Sequence, residues 1–150
     1  MLKVGHKAPN FNLFSGDGTQ VSLKDFLGKK IVLHFYPKDN TPGCTKEACS
    51  FESAQGMLKR KGAVVIGISD DSVHSHAKFT EKYGLSFPLL SDGKKEVVSA
   101  YGVWKEKSMY GKKYFGIERT TVVLDEKGVV RHIFDKVKVN GHVEEVLTVL

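Results

Sequence analysis

Ile31-Val32-Leu33-His34-Phe35-Tyr36-Pro37-Lys38-Asp39-Asn40-Thr41-Pro42-Gly43-Cys44-Thr45-Lys46-Glu47-Ala48-Cys49 passes from a near-continuous apolar run, through a loop bearing proline and glycine, into a segment with helical spacing. A second apolar run, Ala63-Val64-Val65-Ile66-Gly67-Ile68, lies beyond that segment. Runs without polar alternation suit strands covered on both faces, as at the parallel centre of an α/β sheet. Between them Cys44, Ala48, Phe51, Gln55 and Leu58 recur at helical intervals, so residues 44–60 read as the crossover helix of a β-α-β unit.

Working outward, residues 10–14 and 19–23 alternate apolar with polar around Ser15-Gly16-Asp17-Gly18, the composition of a partly exposed hairpin. Asp70-Asp71-Ser72 offers capping side chains for a helix from Ser72 to Tyr83, which Gly84 stops. Pro88 suits an extended segment, and residues 92–101 suit another short helix. Thr120 to Asp125 and Val129 to Asp135 read as antiparallel strands joined by Glu126-Lys127-Gly128. Asn140 is placed to cap a last helix presenting Val143, Val146, Leu147 and Leu150. This order is that of a thioredoxin-like α/β fold: a central mixed sheet flanked by helices, with an added N-terminal β-hairpin. A chain of 150 residues, 41% hydrophobic, accommodates one domain over residues 1–150 with one real core.

The first residues lack the apolar stretch of a secretory signal, and no apolar run approaches the ~18 residues that cross a bilayer, so a soluble, cytoplasmic protein without membrane contact is expected. The net charge of +6 is spread over scattered lysines near loop and helix ends. Without zinc-finger spacing, an RNP-like aromatic motif or a long basic stripe, that charge reads as a solvated surface and not as a nucleic-acid site. Two cysteines are too few for a disulfide scaffold, which points to a chemical use for them.

A thiol at the start of a helix meets the positive end of the macrodipole and unpaired backbone N–H groups, which favour the nucleophilic thiolate. The same N–H groups can hold the oxygens of a polarising O–O bond. Thr41, three residues earlier, either aims its hydroxyl at that sulfur or merely caps the helix. Cys49 follows Cys44 by five residues; in an unbroken helix this separates the Cα atoms by roughly 8.5 Å and turns the side chains about 140° apart. A disulfide needs Cα atoms within about 7 Å, so the pair could bridge only if the first turns unwind. Structural free thiols and a zinc site remain as alternatives. The six histidines show no ligand-like spacing to complete a tetrahedral site, and His34, inside an apolar strand, reads as a hydrogen-bonded core residue.

The residues Pro37-x-x-x-Thr41-x-x-Cys44 resemble the active-site motif of the peroxiredoxins, and Gly43-Cys44-Thr45-Lys46-Glu47-Ala48-Cys49 resembles their Q-type, bacterioferritin-comigratory branch. The resemblance extends over nearly the whole chain, including Gly5-x-x-Ala8-Pro9-x-Phe11, Tyr101-Gly102-Val103-Trp104 and Gly116-Ile117-Glu118-Arg119-Thr120-Thr121. It implies a thiol peroxidase in which Cys44 is peroxidatic and Cys49 resolving, the two joining in an intramolecular disulfide. Thr41 and Arg119 would complete the peroxide site, Pro37 would shape the loop, Glu47 would orient Arg119, and Trp104 would pack nearby. Thioredoxin or a similar dithiol is the implied reductant of a monomer. No metal, haem or flavin is required, because sulfur carries the electrons.

A thiol–disulfide oxidoreductase on the same fold is the runner-up. The Cys-x-x-x-x-Cys spacing and the lack of a proline beside Arg119 argue against it. A redox-sensing or chaperone-like module would use the same cysteines, and peroxide turnover separates it from an enzyme.

Overall fold

We describe residues 2–150 of a computed structural model. The two apolar runs form β3 (Lys30–Phe35) and β4 (Ala63–Ser69), paired in parallel from Lys30↔Ala63 to Phe35↔Ile68. Alternate residues of β3 point to opposite faces, and both faces are covered. Ile31, Leu33 and Phe35 enter a core with Ile66, Ile68, Val98 and Tyr101. Val32 and Tyr36 enter a second core with Ala48, Phe51, Leu58, Val143 and Val146. This double burial is why neither strand alternates.

The sheet is completed by β5 (Leu89–Ser91), parallel to β4, and by the antiparallel strands β1 (Asn12–Ser15), β2 (Gln20–Ser22), β8 (Thr120–Leu124) and β9 (Val130–Phe134). Its order is β2-β1-β5-β4-β3-β8-β9, the expected mixed sheet with the N-terminal hairpin at one edge. Helix α3 (Val73–Tyr83) has the expected signals: Ser72 Oγ accepts from the Ser75 N–H at 3.1 Å, and Gly84 ends it at φ 61°. The short helix α4 (Glu96–Ala100) occupies part of residues 92–101.

The crossover departs from a single helix. It consists of α1 (Pro42–Ser53) and α2 (Gln55–Arg60), broken at Ala54. Gly56 is a poor helix former, and the Glu52 carboxylate is drawn outward to the Ser86 N–H and hydroxyl. The start also lies two residues before Cys44, because Pro42 occupies the first helical position, where its missing N–H costs nothing.

Asn140 does not cap α5 (His142–Leu147): Gly141, at φ 76°, takes that position, and the Asn140 side chain instead accepts from Lys46. A second sheet, β6 (Trp104–Met109) paired with β7 (Lys112–Ile117), was not anticipated. Apart from the half-buried Trp104 and the buried Ile117 its residues are mostly polar or exposed, so no apolar alternation marks it. Its turn places Tyr110 and Gly111 at φ 51° and 75°, with tyrosine where Asn or Asp would have signalled a two-residue hairpin.

Candidate active site

The chain leaves β3 through Tyr36 and Pro37 into a loop fastened to α3 from below. The Asp39 N–H donates to Asp71 Oδ2 at 2.8 Å. The Asp39 carboxylate accepts from the Tyr36 hydroxyl at 2.5 Å and the Ser75 hydroxyl at 2.8 Å, and it pairs with His76 Nδ1 at 2.7 Å. Burial works to raise the Asp39 pKa, but these partners outweigh it and hold the carboxyl below its usual value. Asn40 sits at φ 60°, a conformation asparagine tolerates, and its side chain accepts from Lys82 at 3.2 Å. The loop thus delivers Thr41 and the start of α1 to a defined place.

Cys44 is the third residue of α1 and is 2% exposed. Arg119, in the short link between β7 and β8, reaches it from the opposite side: Nη2 donates to Cys44 Sγ at 3.3 Å and Nη1 donates to Glu47 Oε1 at 2.7 Å. Gly43 admits this approach, since a Cβ there would lie 3.2 Å from Arg119 Nη2. Burial disfavours the guanidinium charge, but the Glu47 carboxylate and the Cys44 sulfur favour it and raise the Arg119 pKa further. Glu47 is 1% exposed, not a surface carboxylate; burial would raise its pKa, yet His34 and Arg119 together hold it below the usual range.

Thr41 is the N-cap of α1 in extended conformation, but its hydroxyl does not cap: Oγ1 donates to the Lys38 carbonyl at 2.9 Å. With its proton so committed, the oxygen offers only lone pairs to a further partner. Pro37 and Trp104 line one cavity of ≈ 390 Å³, together with Lys107, Tyr114 and Phe115. The Trp104 ring stacks on Phe115, centroids 6.4 Å apart, as the packing role expected of it. Cys49 is half-buried, and both cysteines are free thiols in the same unbroken helix. They therefore stand in the geometry that forbids a disulfide without unwinding.

Asp39, Asp71 and His76 are the one grouping among the described residues whose ligand-type atoms all lie within 4.8 Å of one another. Those atoms are already engaged: Asp71 Oδ2 accepts from Ser69 Oγ at 2.7 Å, and His76 Nε2 meets the Leu90 carbonyl at 3.0 Å. The trio serves as a clamp for the loop.

Residues 4–133 match the AhpC/TSA family. The chain belongs to that family. Peroxiredoxin Bcp of Bacillus subtilis is 46% identical over 149 residues, covering 99% of this chain and 95% of that one. Among solved structures, the bacterioferritin comigratory protein of Xanthomonas campestris, described for its alkyl peroxide reduction activity, superposes with a TM-score of 0.91 at 41% identity, over 98% of this chain and 96% of that one. A cysteine-to-serine mutant of Xylella fastidiosa PrxQ gives 0.94 at 38% identity, over 99% and 94%. The AhpC/TSA chain is accordingly a thiol peroxidase of the peroxiredoxin type with a thioredoxin-like fold. No helix among its described residues is long and apolar enough to cross a membrane.

Three residues near this peroxiredoxin site escaped sequence reasoning. Gly43 reads only as a loop glycine. Lys107, on a hairpin that was not foreseen, has its pKa lowered by burial and by Arg119. His34 is buried as expected but is not hydrogen-bonded: neither ring nitrogen has such a partner among the described residues, and Nδ1 stands 3.5 Å from Glu47 Oε1.

Proposed function

We infer that Cys44 is the peroxidatic residue and Cys49 the resolving one, with Thr41 and Arg119 completing the peroxide site and Pro37 and Glu47 supporting it. The observation that carries this reading is the buried Cys44 sulfur in the first turn of α1, accepting from a guanidinium that Glu47 holds by its other arm. Arg119 cannot give up its proton, so it stabilises both the thiolate and the oxygen that leaves, without entering acid–base exchange. Thr41 Oγ1, its own hydrogen given to Lys38, can accept the hydrogen of the incoming hydroperoxide.

The thiolate attacks the terminal oxygen of ROOH; an S–O bond forms, the O–O bond breaks, and the departing RO⁻ takes a proton to become water or alcohol. Cys49 then displaces hydroxide from the Cys44 sulfenic acid, giving an in-chain disulfide and water. For the sulfurs to meet, α1 must unwind from Pro42 past Glu47, which gives up the Arg119–Glu47 pair and the buried seat of Ala48. A dithiol such as thioredoxin returns the disulfide to thiols, so hydrogen peroxide and organic hydroperoxides are substrates at the expense of that reductant. Because the proposed bridge forms within one helix of one chain, a cytoplasmic monomer of one domain suffices and no partner subunit is required.

The test follows loss of hydrogen peroxide with excess thioredoxin and its NADPH-linked reductase. Cys44→Ser should abolish turnover. Cys49→Ser should lose thioredoxin-linked turnover while Cys44 is still oxidised once. Wild-type activity in Cys44→Ser would overturn the assignment.

A further inference from the structure

A buried imidazole stands behind the site, and nothing in the proposed cycle uses it. His34, 1% exposed on β3, has its ring against Tyr36, Phe51 and Phe87, with centroids 5.3, 5.0 and 5.7 Å away. Its partner in the register of β4 is Gly67, and a Cβ there would lie 2.8 Å from His34 Nε2. That Cβ would also lie 2.7 Å from Leu89 Cδ2, so the glycine of this central strand makes room for both the His34 ring and Leu89. A phenyl ring would fill such a space without a desolvated nitrogen; burying an imidazole with no hydrogen bond is costly, and a buried imidazolium needs an anion beside it.

One polar neighbour faces it. Nδ1 lies 3.5 Å from Glu47 Oε1, too long for a good hydrogen bond but within ion-pair range, and Glu47 Oε2 is itself unpartnered among the described residues. The same Oε1 receives Arg119, whose other nitrogen reaches Cys44. The other groups on this face are accounted for. The Tyr36 hydroxyl is committed to Asp39, and burial together with that carboxylate keeps it protonated. Thr121, opposite His34 on β8, is bonded to His142 at 2.7 Å, and His142 meets Glu145 at 3.2 Å. Asp39 and His76 pair with each other behind Tyr36. Gly67 and Phe87 bring no charge.

We propose that His34 is a positioning residue of the peroxide site, acting through Glu47 and Arg119 to set how much positive charge Arg119 presents to Cys44. Where the ring carries its second proton it offsets the Glu47 carboxylate, leaving more of the guanidinium field for the sulfur. Where the ring is neutral, Glu47 claims a larger share. The consequence is a peroxide reaction that extends further into acid pH than it would with an uncharged residue at position 34. This rests on the reading of Cys44 as the reacting sulfur.

The experiment measures the second-order rate of Cys44 oxidation by hydrogen peroxide against pH, in a Cys49→Ser background, for the wild-type residue, His34→Gln and, as control, His142→Gln. In His34→Gln the acid limb should move up by about 0.5 pH, making the rate on that limb roughly threefold lower, and converge with the parent at alkaline pH. His142→Gln should leave the limb in place. Superposable limbs for the parent and His34→Gln, or equal shifts in both histidine variants, would overturn the proposal. If His34→Gln does not fold, ring NMR of the unmodified His34 decides: reciprocity requires its titration to move to lower pH in Cys44→Ser, and an unmoved titration refutes the coupling. A wild-type peroxide rate in Cys44→Ser would instead overturn the site reading, and this inference with it.

Discussion

Replacing Arg119 with lysine keeps the positive charge but removes the fork that joins two anions. In the wild type Nη1 reaches Glu47 Oε1 at 2.7 Å and Nη2 reaches Cys44 Sγ at 3.3 Å, two donors of one rigid plane pressed onto Gly43. A lysine ammonium is a point donor on a differently shaped stem, and the buried Glu47 carboxylate, already desolvated, has first claim on it. The sulfur would then lose one charge-assisted hydrogen bond, worth about 1.5–3 kcal/mol. At ~1.4 kcal/mol per tenfold in rate, Cys44 oxidation should slow by about 10- to 100-fold. An exposed charge acting only through water would be worth at most about 1 kcal/mol, roughly fivefold. Stopped-flow oxidation of the Cys49→Ser protein with and without Arg119→Lys measures this, and urea unfolding of the same samples separates rate from stability. A rate within threefold of the parent would refute the argument that the fork, and not the charge alone, serves the sulfur.

Two further outcomes follow from packing and charge. Gly67→Ala would bring a methyl to 2.7 Å from Leu89 Cδ2 and 2.8 Å from His34 Nε2, so urea unfolding should register a loss of about 1–3 kcal/mol; an unchanged midpoint would mean the two strands yield easily. Asp39 has a folded-state pKa below its ordinary 3.8, so its contribution is complete above that value and is lost as pH falls through the lower folded one. Asp39→Asn, which strips a charged acceptor from Tyr36, Ser75 and His76, should lower Tm at pH 7 by about 4–8 °C, with the gap to wild type closing as pH is taken below 3.8 in a thermal scan series.

The elements legible in the sequence are those whose burial imposes a pattern. β3 and β4 are covered on both faces and read as unbroken apolar runs, and α3 carries its own cap and stop in Ser72 and Gly84. The β6–β7 hairpin has no such imprint, because most of its side chains, lysines and exposed aromatics among them, are not drawn into a core that would impose an alternation. Asn140 misled because a capping side chain is a local signal, and a tertiary contact with Lys46 claimed it. Of the candidate site, Cys44 and Cys49 stood out by their spacing, and Thr41 and Arg119 through the resemblance to the family motif. That Glu47 meets Arg119, 72 positions away, was legible only through the family resemblance, and the burial of Glu47 and the approach of His34 to it come from the fold alone.

Cys44 and Cys49 sit in a helix that cannot hold their disulfide, so bridging them requires that helix to unwind. Amide hydrogen exchange across residues 43–53, compared between reduced protein and protein treated with one equivalent of hydrogen peroxide, measures that unwinding. Loss of protection from Thr45 through Cys49, with β3 and β4 unchanged, is the predicted result. Undiminished protection of that helix after peroxide treatment would contradict it.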